Sequence, residues 1–168
     1  MFHTSIFLIF LAAVTGCSKS KTKSDDNSTR VFNGVNINEA TTAINGYRTQ
    51  GSGAYPAVAA LTWNDTLSTA AFNFAKARAQ DAGTSPNSYT LSNGDFILDY
   101  PGKIGFHGQA NFAFYYGYPS NSSVKTLIDA GFTQYANDNT VMSGFMSASG
   151  KQFGMGQFGD SWYIIIAQ

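Results

Sequence analysis

Cysteine is nearly absent from this chain, histidine and glutamate are scarce, and charge is thin. One cysteine in 168 residues excludes an intramolecular disulfide, so the fold must stand on its core alone. Ten Lys and Arg balance ten Asp and Glu, and charged residues make up only 12% of the chain. A nucleic-acid binder needs a basic face to neutralise phosphates, so that class is set aside. The two histidines are His3 and His107, and the one glutamate is Glu39. Metal chemistry built on several imidazoles is therefore short of ligands. Aromatic residues, by contrast, reach 15%. Such rings fill a core or line a groove, and the core carries the greater weight.

The apolar run from Ile6 to Val14 is far short of the roughly 20 residues of a membrane-crossing helix. It has the length of a signal-peptide core. It leads into Val14, Thr15, Gly16 and Cys17, with a small residue directly before the only cysteine. This resembles the bacterial lipoprotein processing site. The resemblance implies a diacylglycerol on the Cys17 sulfur, cleavage before it, and a fatty acyl chain such as palmitate on the new amino group. The segment before the run has His3 but neither Lys nor Arg. The lipoprotein reading is preferred over an ordinary secretory signal that happens to precede a cysteine. Two or three acyl chains would hold the protein firmly at a membrane. Lys19, Lys21 and Lys23 alternate with Ser and Thr, with no apolar residue among them; this reads as a disordered tether. The chain thus divides into a signal peptide over 1–16, a lipidated cysteine and tether over 17–32, and a domain over 33–168 that begins to order near Val31. The expected place is the cell envelope, on the extracytoplasmic side.

Helical spacing predicts three helices. The first runs from Glu39 to about Arg48, with Asn38 as cap and Gly51 to Gly53 as breaker. The second runs from about Asp65 to Ala82, with Leu67, Ala70, Ala71, Phe74 and Ala75 inward and Gly83 as its stop. The third spans Ser122 to about Tyr135. Period-2 alternation predicts a strand over 111–118, with Phe112, Phe114, Tyr116 and Tyr118 on one face. Two more strands, 152–158 and 161–167, flank Gly159 and Asp160 as a hairpin. The last is apolar on both faces, so helices must cover both sides of the sheet. The expected fold is α+β: a three-layer α-β-α sandwich around a small, mainly antiparallel sheet. Residues 84–105 read as a long irregular loop. With Tyr89, Tyr115, Tyr116 and Tyr118 that loop could wall an aromatic groove, against an alternative in which the rings are core.

Asn45 and Arg48 on the first helix, Gly53 and Pro56 after it, Leu61, Trp63, Leu67 and Ala71 into an alanine-rich helix, and Gly154, Gly156, Trp162 and Tyr163 near the end occur in a telling order. Over roughly 38–168 this resembles the CAP superfamily, or SCP domain: cysteine-rich secretory proteins, antigen 5 and pathogenesis-related proteins. The resemblance implies an α-β-α sandwich, with Asn45, Arg48, Trp63, Leu67, Gly154 and Gly156 as framework. It also implies a cleft in which members often carry two histidines and two glutamates able to hold a divalent metal. With His107 and Glu39 alone beyond the leader, that tetrad cannot be assembled. The family's Glu-Asn pair falls on Ala110 and Asn111, and its Trp-x-x-Ser-x-x-His segment falls near 135–142, where there is no histidine. The candidate cleft residues are then His107, Gln109, Asn111, Asp138 and Asn139.

Neither metal nor cofactor is expected. His107, Asp99 and Asp138 lack a ligand spacing, and no strand-turn-helix elbow surrounds a serine. Asp95 and Asp99 read as solvated turn residues. Three functions stay open. The preferred one is a non-catalytic binding or structural module, monomeric, anchored through its lipid, with a small-molecule, glycan, peptide or lipid ligand. The others are a divergent, peptidase-like hydrolase working around His107, Asn111 and Asp138, and a lipid or sterol carrier.

Overall fold

The chain enters its fold through a short hairpin. In the computed structural model, which describes residues 30–168 apart from Pro86, β1 (Val31–Phe32) pairs antiparallel with β2 (Val35–Asn36). That pairing puts Val31 and Phe32 with the domain rather than with the tether. Asn33 takes a positive φ of 50° at the hairpin tip, and its carbonyl accepts from Gln157 N at 3.2 Å. The leader, Cys17 and the lysine-bearing segment lie outside the described residues.

Helix α1 (Ile37–Gln50) starts earlier than its spacing predicted, because Asn36, not Asn38, caps it by accepting from Glu39 N at 3.1 Å. It ends at Gly51, whose φ of 81° suits glycine and whose Cβ would meet the Tyr55 carbonyl at 2.9 Å. Strand β3 (Thr62–Trp63) leads directly into α2 (Asp65–Gln80). Asn64 forms the joint: its side chain accepts from Thr66 N at 2.8 Å and Leu67 N at 3.0 Å. Trp63 Nε1 donates to Asp65 at 2.7 Å, while its ring meets Phe153 edge-on at 5.3 Å. Helix α2 stops at Gln80, and Asp81 closes it instead of Gly83. The Asp81 carboxylate accepts from Gly83 N at 3.2 Å, Ser92 N at 2.6 Å and Ser92 Oγ at 2.7 Å, and from Thr84 Oγ1. Those donors draw its pKa down to about 2.

Residues 84–105 are less irregular than expected. A 3-10 turn (Ile97–Asp99) runs into the short α3 (Tyr100–Lys103). Leu91 and Ile97 are buried, and Tyr89 Oη accepts from Tyr115 N at 3.1 Å. The segment is thus a lid on the α2 side of the core. Strand β4 (Ala110–Gly117) follows, then α4 (Val124–Gln134) under a Ser123 cap. Next comes α5 (Asn139–Phe145), which helical spacing did not reveal. Strands β5 (Gln152–Phe158) and β6 (Ser161–Ala167) close the chain at the predicted residues. Gly159 between them has φ 56°, as the first position of a tight hairpin turn requires.

The main sheet has the order β3-β5-β6-β4, with β3 parallel to β5 and the other pairs antiparallel. Every residue of β6 is buried, because helices cover both faces. Phe153, Met155, Trp162, Ile164 and Ile166 pack with α1, α4 and α5 on one side. Tyr163, Ile165 and Ala167 pack with α2 on the other. This is the α-β-α sandwich. On the α2 side β5 has no side chain at two positions. A Cβ on Gly154 would lie 2.6 Å from Leu67 Cβ, and one on Gly156 would lie 2.6 Å from Phe72 Cα. The two glycines let the α2 backbone lie directly on the strand, and Ser68 Oγ seals the contact by donating to Met155 O at 2.7 Å.

Asn45 and Arg48 tie the opposite layer together. Asn45 clamps Leu61, donating to its carbonyl at 2.9 Å and accepting from its N–H at 2.7 Å. Arg48 is fully buried with no carboxylate partner among the described residues, and burial lowers its pKa. Its guanidinium donates to Ala59 O at 2.9 Å, to Phe145 O and to Ser147 O at 3.1 Å. It therefore holds the end of α5 and the approach to β3 on one side chain.

Candidate functional site

The five candidate cleft residues fall into two groups. His107, Gln109 and Asn111 are exposed on the approach to β4 and at its first end. Gln109 O accepts from Gln168 N at 3.0 Å, and Asn111 is the extra residue of a bulge between Ala110 and Phe112. Asp138 and Asn139 stand at the other end of α5. Asp138 is the N-cap, accepting from Thr140 N at 2.9 Å and Val141 N at 3.0 Å, and Asn139 accepts from Tyr55 Oη at 3.2 Å. Phe112, next to Asn111, lies against Gly144 and Phe145 at the C-terminal end of α5. The length of α5, from Asn139 to Phe145, about 9 Å of rise, therefore separates Asn139 from the residues against Phe112. Among the described residues no group of three or more His, Cys, Asp or Glu is placed to share a metal ion.

The seam between β4 and α5 is filled with rings. Phe112 and Phe114 each meet Phe145 at 5.1 Å between centroids, and Phe114 meets Tyr135 at 5.2 Å. The aromatic wall read from the sequence is not formed. Tyr89 and Tyr115 pack on the α2 side, whereas Tyr116 and Tyr118 pack on the other. Neighbours along a strand point to opposite faces, so Tyr115 and Tyr116 cannot line one groove.

A well-formed concavity lies elsewhere among the described residues, on the outer side of α1. It is an open groove of about 780 Å³ between α1, the start of α4 and the loop after α1. Asn38, Thr42, Gln50 and Ser52 supply amides and hydroxyls, and Glu39, Lys125 and Asp129 supply charge. Glu39, the only glutamate, reaches across to accept from Lys125 N at 3.0 Å in the first turn of α4. There it satisfies a backbone N–H with no partner inside the helix. Lys125 Nζ pairs with Asp129 one turn on, which raises the lysine's pKa. Tyr47 Oη donates to Asp129 Oδ1 at 3.1 Å. Burial and then the Asp129 bond raise the Tyr47 pKa, so it is a neutral hydroxyl in neutral solution. The Tyr47 ring stacks on Phe132 at 4.0 Å and 4°. Phe132 is buried beneath it, and the half-buried Tyr47 is one of the residues that line the groove.

Gly46 forms the bare part of the groove wall. It sits inside α1 without a positive φ, and a Cβ there would meet nothing within 4 Å. Neither backbone geometry nor packing calls for glycine, which costs a helix interior about 1 kcal/mol relative to alanine. The sequence signal that could have found this site was that glycine inside a helix, off its buried stripe, with Tyr47 next to it.

No protein-family model and no curated protein matches the sequence. Solved structures do. An extracellular protein containing an SCP domain from Bacillus anthracis superimposes with a TM-score of 0.59 at 11% identity, over 79% of this chain and 40% of that one. A cysteine-rich secretory protein from Staphylococcus aureus gives 0.50 at 16% identity, over 78% of this chain and 37% of that one. The chain thus spans well under half the length of either. The fold is that of the SCP domain, the fold that Asn45, Arg48, Trp63, Leu67, Gly154 and Gly156 imply.

Proposed function

We infer that this chain is a divergent CAP-superfamily domain of the bacterial cell envelope, and that it works as a non-catalytic binding module. The observation that carries this reading is the ring-filled seam between β4 and α5. Two of the family's tetrad segments correspond to Ala110–Asn111 and to 135–142, and a third falls in 84–105, which has no histidine. In this chain the space between the first two is occupied by Phe112, Phe114, Tyr135 and Phe145. Asp138, on one side of it, is turned to capping α5. The extracellular and secretory descriptions of the two similar proteins, together with the leader and Cys17, support an extracytoplasmic domain on a lipid anchor. The α1 groove is the concave surface to which we assign binding.

Two measurements test this. Cells fed an alkyne analogue of palmitate should label the wild-type chain and not Cys17→Ser; equal labelling would remove the anchor. Purified protein should leave casein and simple esters uncleaved. Turnover that His107→Ala abolishes would overturn the non-catalytic reading in favour of a hydrolase.

A further inference from the structure

We propose that the α1 groove binds an uncharged saccharide, laid over Tyr47 and the bare backbone at Gly46. This rests on the binding-module reading and names the ligand class of its groove. A pyranose ring presents a flat face of C–H bonds and a rim of hydroxyls. The first wants an aromatic surface and the second wants amides and carboxylates. The groove supplies both. Tyr47 is braced from behind by Phe132 at 4.0 Å and from its edge by the bond to Asp129 at 3.1 Å, so the platform is rigid before a ligand arrives. Asn38, Thr42, Gln50 and Ser52 stand around it with donors and acceptors. The carboxylates of Glu39 and Asp129 outnumber the one ammonium of Lys125. Uronic and sulfated sugars are therefore disfavoured, and hydroxyl donors are favoured.

Gly46 is the independent sign. A missing side chain at a half-buried position of the groove wall, where a Cβ would meet nothing within 4 Å, lets a flat ligand approach the backbone closely. This groove combines apolar surface with amides, hydroxyls and charge, the mixture that a sugar's C–H face and hydroxyl rim call for, whereas an acyl chain would use only the first.

The experiment uses Gly46→Leu, which places a side chain in the groove at a position whose Cβ meets nothing within 4 Å and favours the helix. Detergent-purified protein is titrated calorimetrically with tetramers of N-acetylglucosamine, glucose and xylose, with polygalacturonate, with palmitate and with an unstructured polar peptide. At least one neutral tetramer should bind at or below millimolar concentration and polygalacturonate should not. Gly46→Leu should weaken that binding by about tenfold or more while melting no lower than wild type. Tyr47→Phe, which keeps the stack on Phe132 but drops the hydroxyl, should retain part of the affinity. No binding by any neutral tetramer, or binding that Gly46→Leu leaves untouched, would overturn the saccharide site. Palmitate or peptide binding that Gly46→Leu abolishes would overturn it too, yet leave the binding module standing. Hydrolysis of a bound tetramer would instead remove the non-catalytic reading.

Discussion

Replacing Gly154 with alanine adds one methyl group where the structure has no room for it. The new carbon would lie 2.6 Å from Leu67 Cβ and closer still to the backbone of Leu67 and Ser68. These are helix backbone atoms, so no side chain can swing aside. Helix α2 must move off β5 by about 1 Å, and a gap of that size forfeits up to half of each dispersion contact it opens. The contacts at stake are those of Leu67, Ala70, Ala71, Phe74 and Ala75, all fully buried on this face. The Ser68 bond to Met155 O, 2.7 Å long, stretches with them. Overpacking typically costs 1–3 kcal/mol; with backbone set against backbone, about 3–5 kcal/mol is expected. For roughly 140 ordered residues the unfolding entropy is near 0.3 kcal/mol/K, so Tm should fall by about 10–17 °C. Thermal unfolding followed by circular dichroism reads this directly. Gly46→Ala is the internal control and should melt at or slightly above wild type. A Gly154→Ala protein melting within about 3 °C of wild type would refute the idea that direct helix-on-strand contact holds this layer together.

Arg48→Met keeps the volume and removes the donors, leaving the carbonyls of Ala59, Phe145 and Ser147 without their shared cation. The loss should be about 3–5 kcal/mol, read as a lower urea midpoint with an unchanged m-value; a loss below about 1 kcal/mol would mean that water replaces the guanidinium. Asp81 sets an acid limb. Its pKa in the fold is drawn down to about 2, below the ordinary value near 4. Its contribution is therefore present above about pH 4 and is lost as pH falls toward 2. The Tm difference between wild type and Asp81→Asn should shrink over that window, and a difference independent of pH would count against the carboxylate's role.

What could be read in the sequence was what is local in the chain. The β5–β6 hairpin declares itself because two apolar strands flank Gly159 and Asp160, and the joint at Asn64 because a strand ends where a capped helix begins. Helix α5 is the opposite case. Its sequence carries Thr140, Val141 and Gly144, poor helix formers in so short a run. Asp138 secures its start, but its end is secured by Arg48, whose guanidinium reaches Phe145 O from 97 residues away. No window of sequence contains that interaction. The same holds for the groove. Tyr47 and Asp129 are 82 residues apart, and Glu39 and Lys125 are 86 apart. Only the packing of α1 on α4 makes neighbours of them. The framework pair Asn45 and Arg48 points to one side of α1, into the core. Gly46 and Tyr47, interleaved between them, point to the groove. A motif that marks the fold thus brackets the residues proposed to bind, and the two roles separate because a helix turns its successive residues to different faces.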